Sequence, residues 1–127
     1  MGTRQLQTAA AITEYAVLNA DGLEIAARVS IAGTSALRRK GLLGTDSLAG
    51  GRGLWIAPCE AVHTFGMSFS IDVVFLDREF RIKRLIPELR SRRIAVCASA
   101  SSVLELGAGA IEQTGIRVGD RLVFRRL

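Results

Sequence analysis

A chain of 127 residues is long enough to bury one hydrophobic core and needs no second domain. Apolar residues make up 49% of it and charged residues 23%, with 13 glycines and 2 prolines, which excludes general disorder and a collagen-like repeat. The net charge of +5 rests on 15 arginines against 2 lysines, a bias suited to carboxylate or phosphate partners without naming one.

The first 14 residues contain no apolar run of signal-peptide length, and no stretch of the chain approaches the roughly 18 residues that cross a bilayer. As it stands the chain is expected to be cytoplasmic, or exported if a leader was removed. Residues 1–14 read as a flexible tail and residues 15–127 as a single β domain. Tyr15 to Leu18 and Leu23 to Ile31 predict a hairpin, because Asp21-Gly22 supplies the positive backbone angle of a tight turn. A short helix is expected over Ala36 to Leu43, capped by Thr34 or Ser35 and stopped by Gly44.

Beyond the flexible Gly50-Gly51-Arg52-Gly53, Leu54 to Ala57 reads as a strand ended by Pro58. Val62 to Phe65 and Ile71 to Leu76 are rich in residues that suit a pleated surface, and they predict a second hairpin turning at Met67-Ser68. Phe80 to Ile86 alternates apolar and basic residues, as a strand with one wet face does, and Pro87 to Arg93 reads as a solvent loop. Ala95 to Ala98 and Val103 to Leu106 predict further strands. A helical turn over Ala110 to Thr114 closed by Gly115 follows, then a last strand reaching Phe124. Eight or nine short strands with two small helices predict a mainly β fold, a single compact antiparallel β-sandwich of jelly-roll-like character or a barrel.

The ordered set Gly41-Leu42-Leu43-Gly44, Gly53-Leu54-Trp55-Ile56, Val62-His63-Thr64-Phe65-Gly66-Met67, Ile71 to Asp77, Val103-Leu104-Glu105-Leu106 and Gly115-Ile116-Arg117-Val118-Gly119-Asp120 spans about residues 23 to 125. It resembles the bacterial and archaeal family called domain of unknown function 192. The resemblance implies a compact β-sandwich with a short helix on one side, and it supplies no catalytic residue.

Candidate chemistry centres on few residues. Cys59 and His63 lie four apart, a spacing that brings side chains to about 6 Å on a helix but spreads them over roughly 13 Å on a strand. His63 is the only histidine, and the expected hairpin sets it opposite Asp72 with Cβ atoms about 5 Å apart. Asp72 sits in an apolar strand and therefore needs a partner, for which His63, Arg28 and backbone amides are the candidates. Glu105 between Leu104 and Leu106 raises the same question. Cys59 and Cys97 lack the doubled spacing of a closed zinc site, so no metal is expected there.

The reading from sequence is a small non-enzymatic binding or accessory domain for a small-molecule or protein ligand, held at His63, Met67, Asp72 and Glu105. One alternative is an enzyme using Cys59, His63 and Asp72 as a thiol hydrolase or with a metal. The other is an arginine-mediated binder of nucleic acid or acidic surfaces, through Arg78, Arg81, Lys83, Arg84, Arg90, Arg92 and Arg93. Nucleic acid is disfavoured because aromatics that stack bases are scarce. Gly50 to Gly53 lacks the Lys-Ser/Thr ending of a phosphate loop and leads into a strand, so no cofactor is named.

Overall fold

The computed structural model describes residues 13–32 and 50–127, and among them it has nine strands and one helix. β1 (Glu14–Asn19) and β2 (Glu24–Ala32) form the expected antiparallel hairpin. At its tip Gly22 takes φ 90°, and Asn19 Oδ1 accepts the amides of Asp21 and Leu23 at 2.9 and 2.8 Å, which closes the turn. The expected helix over 36–43 and most of the expected tail lie outside the described residues; β1 opens at Glu14.

β3 (Arg52–Ile56) runs parallel to β2, alone among the described pairs, and β8 (Ser102–Gly107) lies antiparallel on its other side. β5 (Ile71–Leu76) and β6 (Ile82–Leu89) extend the sheet to one edge, and β9 (Leu122–Arg126) flanks β1 at the other, in the order β6-β5-β8-β3-β2-β1-β9. Glycine is required at position 53 in β3, where a Cβ would stand 2.9 Å from the Glu105 carbonyl and 2.9 Å from Leu106 Cδ2.

This sheet curls into a half-barrel, so the mainly β expectation holds in its barrel form rather than as a sandwich. The curl is visible in the packing: Ile82 of one edge strand and Leu122 of the other share a single apolar cluster with Val17, Val29 and Leu104. A flat sheet would hold its edge strands too far apart for that. At one end the edges meet directly, with the Ile82 amide donating to Asp120 O at 2.8 Å and the Leu122 amide to Phe80 O at 2.9 Å. Ser102–Gly107 and Ile71–Leu76 are buried along nearly their whole length, each apolar side chain of that kind contributing about 1.5–3 kcal/mol.

The convex face carries a second cluster, built on Leu54, Ile56, Val73 and Phe75 and covered by Val62, Met67, Ala95 and Ala100. Its cover is a separate two-stranded sheet of β4 (Ala61–His63) and β7 (Ile94–Val96). Here the expected second hairpin is overturned. β4 pairs with β7, while β5 takes β6 and β8 as its two neighbours. Alternation of apolar residues marks which face of a strand is buried, but it does not say which strand lies alongside, and β5 is apolar on both faces. The expected loop at Pro87 is also partly strand, since β6 runs on to Leu89; as an edge strand it tolerates a proline.

Candidate functional site

Asp72 is fully buried, and its carboxylate is held by main-chain amides. Between Ile71↔Leu89 and Val73↔Ile86 the β5–β6 register shifts by one residue, so β6 bulges opposite Asp72 and Glu88 takes φ 51°. Within that bulge the Glu88 amide donates to Asp72 Oδ1 at 2.9 Å. From the other side come the amides that open helix α1 (Ala110–Thr114): Gly109 donates to Oδ1 at 3.2 Å and Ile111 to Oδ2 at 2.8 Å. Asp72 thereby ties strand, bulge and helix together, using the donors that bulge and helix geometry leave over.

Glu105 is fully buried as well, but on the opposite side of the sheet. It alternates with Leu104 and Leu106, which face the inside of the curl, and its register partners are Val73 and Leu54 on the convex side. Asp72 alternates with Ile71 and Val73 and so faces the inside. The two acids do not converge.

His63 sits in the small sheet across from Ile94, half-buried, its ring 5.7 Å from that of Phe65. The expected pairing with Asp72 is therefore absent: Asp72 is in register with Leu106. Cys59 precedes β4, its thiol donating to Ala61 O at 3.0 Å and its amide to Ser101 O at 2.9 Å. It lines a cavity of about 430 Å³ with Pro58, Glu60, Arg78, Ala100 and Ser101. Cys97 approaches Ser99 Oγ at 3.5 Å, and neither cysteine is in a disulfide. Cys59, His63 and Asp72 thus belong to a loop, a cover strand and a central strand. Among the described residues no three His, Cys, Asp or Glu side chains gather as a metal-binding group.

A different constellation is assembled beside Met67. Thr64, fully buried at the end of β4, joins two surface segments. Its amide donates to Arg93 O at 2.9 Å, and its hydroxyl donates to Arg90 O at 2.5 Å and accepts the Arg93 amide at 2.9 Å. Its carbonyl accepts the Met67 amide at 3.1 Å, in a turn where Gly66 takes φ 85°, and the Arg92 amide at 3.4 Å. The turn at 66–68 and the loop at 90–93 are thus both hydrogen-bonded to this one residue. Between them lies a cleft of about 580 Å³ lined by Gly66, Met67, Ser68, Arg90, Ser91, Arg92 and Arg93.

Three arginines line that cleft, and no carboxylate is among its described lining residues. Arg93 reaches the carbonyls of Ser91 and Arg92 at 3.4 and 3.5 Å. Arginine presents its donors as a planar fork that matches a carboxylate or phosphate. Sequence reading flagged these arginines only as part of a long basic run. What it lacked was Thr64, whose role depends on contacts 26 and 29 residues away.

A family model described as uncharacterized ACR, DUF192, matches residues 16–124. A crystal structure of a candidate transcription regulator from Sinorhizobium meliloti 1021 is similar over 90% of this chain and 94% of its own, at 21% identity and a TM-score of 0.76. A protein of unknown function from Novosphingobium aromaticivorans DSM 12444 is similar over 88% of this chain and 84% of its own, at 22% identity and a TM-score of 0.73. At such identities the likeness concerns the fold. No curated protein matches the chain.

Proposed function

We propose that this chain, which belongs to the DUF192 family, is a small non-enzymatic binding domain whose ligand sits in the cleft between the 66–68 turn and the 90–93 loop. The observation that carries this reading is the open, arginine-lined groove itself, about 580 Å³, whose two sides are joined by hydrogen bonds of the buried Thr64. Its volume falls within the range of small-ligand sites, and polar groups that converge on it would fix a ligand's orientation. The site keeps Met67, which lines the cleft, and His63, which stands on the adjoining strand. It leaves out Asp72, whose oxygens already accept three amides, and Glu105, whose position in β8 is outside the lining.

The enzyme alternative finds less support, since Cys59 lines another cavity and Asp72 is bound to the main chain. A nucleic-acid role, in keeping with the description of the Sinorhizobium meliloti protein, would draw on the same arginines. Against it, Phe65 is the one exposed aromatic side chain among the described residues, and base stacking needs several.

Amide chemical shifts recorded while a mixed panel of charged and neutral small molecules is titrated into the full chain test the reading. Shifts concentrated at residues 64–68 and 90–93 are expected. A panel whose hits all map to the Cys59 cavity or to the inside of the curl overturns it.

A further inference from the structure

We infer that the ligand of this cleft is an amphipathic oxyanion, a free small molecule with a carboxylate or phosphate head and an apolar body; this rests on the reading that the cleft is the binding site. The head is assigned by the arginines. Arg90, Arg92 and Arg93 line the cleft and no carboxylate is among its described lining residues, so the charge around it favours an anion, and arginine's forked donors suit a carboxylate or phosphate.

The body is assigned by what adjoins them. The same two segments that build the cleft continue directly into the small sheet: Gly66 follows Phe65, and Arg93 precedes Ile94. In that sheet Val62 and Ala95 pair with each other and turn inward to cover the convex core. Alternation therefore sends the flanking His63 and Ile94, and Ala61 and Val96, to the outside. Ile94 is 67% exposed, Val96 50% and Phe65 48%, three apolar side chains in one short region of a surface otherwise rich in charge. None of these three lines the cleft, but each stands within three residues of one that does, so an apolar body that leaves the cleft along the small sheet covers this strip, and burying it there returns free energy in proportion to the apolar area covered.

The layout favours a free molecule over a membrane. Binding at a lipid surface draws apolar and basic residues from one amphipathic element, whereas here the arginines line the cleft and the apolar residues lie on the adjoining two-stranded sheet.

The test compares four probes on the full chain by amide chemical shifts: octyl phosphate, octanoate, inorganic phosphate and octanol. Octyl phosphate and octanoate are expected to shift residues 64–68 and 90–96 and to bind at least about tenfold more tightly than inorganic phosphate or octanol, since each half of the ligand supplies a separate contribution. The double variant Arg90→Ala/Arg92→Ala, both exposed positions, should weaken octyl phosphate about tenfold or more with spectral dispersion unchanged. Ile94→Ser should weaken octyl phosphate but leave inorganic phosphate as it was. Octanol binding as tightly as octanoate overturns the anionic head, and inorganic phosphate binding as tightly as octyl phosphate overturns the apolar body; in both cases the cleft remains the site. Binding only to vesicles of phosphatidylcholine with phosphatidylglycerol, and to none of the free probes, overturns the free small molecule. Shifts from every probe that map away from the cleft overturn this inference and the binding site together.

Discussion

Two polar regions of the molecule put charge to opposite uses. Around Asp72 a single carboxylate is fully buried and accepts three main-chain amides, from a bulge and from a helix start. Around Thr64 the buried group is a neutral hydroxyl, and the charges it positions, Arg90, Arg92 and Arg93, are all exposed at a cavity. A buried charge must be satisfied within the fold, and once satisfied it serves stability. Charge carried at the rim of a cleft costs the fold little and is free to serve recognition.

That contrast breaks first at Asp72. Asp72→Ala leaves three amides without their acceptor and is expected to cost roughly 3–4 kcal/mol in denaturant unfolding; a loss under about 1 kcal/mol would show that water replaces the carboxylate easily. Asp72→Asn, which keeps one acceptor oxygen, should lie between the two. Next comes a position that belongs to neither polar region. Gly53→Ala forces a methyl to 2.9 Å from the Glu105 carbonyl, and about 2–3 kcal/mol should be lost; unchanged thermal stability would mean that β3 and β8 separate without strain.

Smaller effects sharpen the other half of the comparison. Thr64→Val preserves shape while removing the hydroxyl, and it should cost about 1–2 kcal/mol, with amide shifts spreading through both 66–68 and 90–93. Shifts limited to residue 64 itself would deny it the framing role. Last, Arg92→Ala should alter unfolding by less than about 0.5 kcal/mol, as exposed substitutions do, while weakening anionic probes. A loss of stability comparable to that of Thr64→Val would reveal a structural task for this guanidinium.

Much of the local structure was legible along the chain. The Asp21-Gly22 turn, the strands around Trp55 and Val103, and the turn of helix from Ala110 to Gly115 all follow from short-range rules: a glycine where φ is positive, β-branched runs between turns. The need of Asp72 for a partner was legible too, with backbone amides among the candidates. The identity of those amides was not, because Glu88, Gly109 and Ile111 lie 16, 37 and 39 residues away. Likewise the pairing of His63 with Ile94 rather than Asp72 depends on a contact 31 residues distant in sequence, made by strands of only three residues each.

By itself, then, the order of residues determined the strand-rich class, the Asp21-Gly22 turn, the need of Asp72 for a partner and the arginine bias, because each of these is set within a few neighbouring positions. Tertiary structure alone decided the curl of the sheet, the cover over its convex face and the cavity between residues 66–68 and 90–93. Strand partners are selected by how whole apolar faces fit together, and no residue carries that information in its own vicinity.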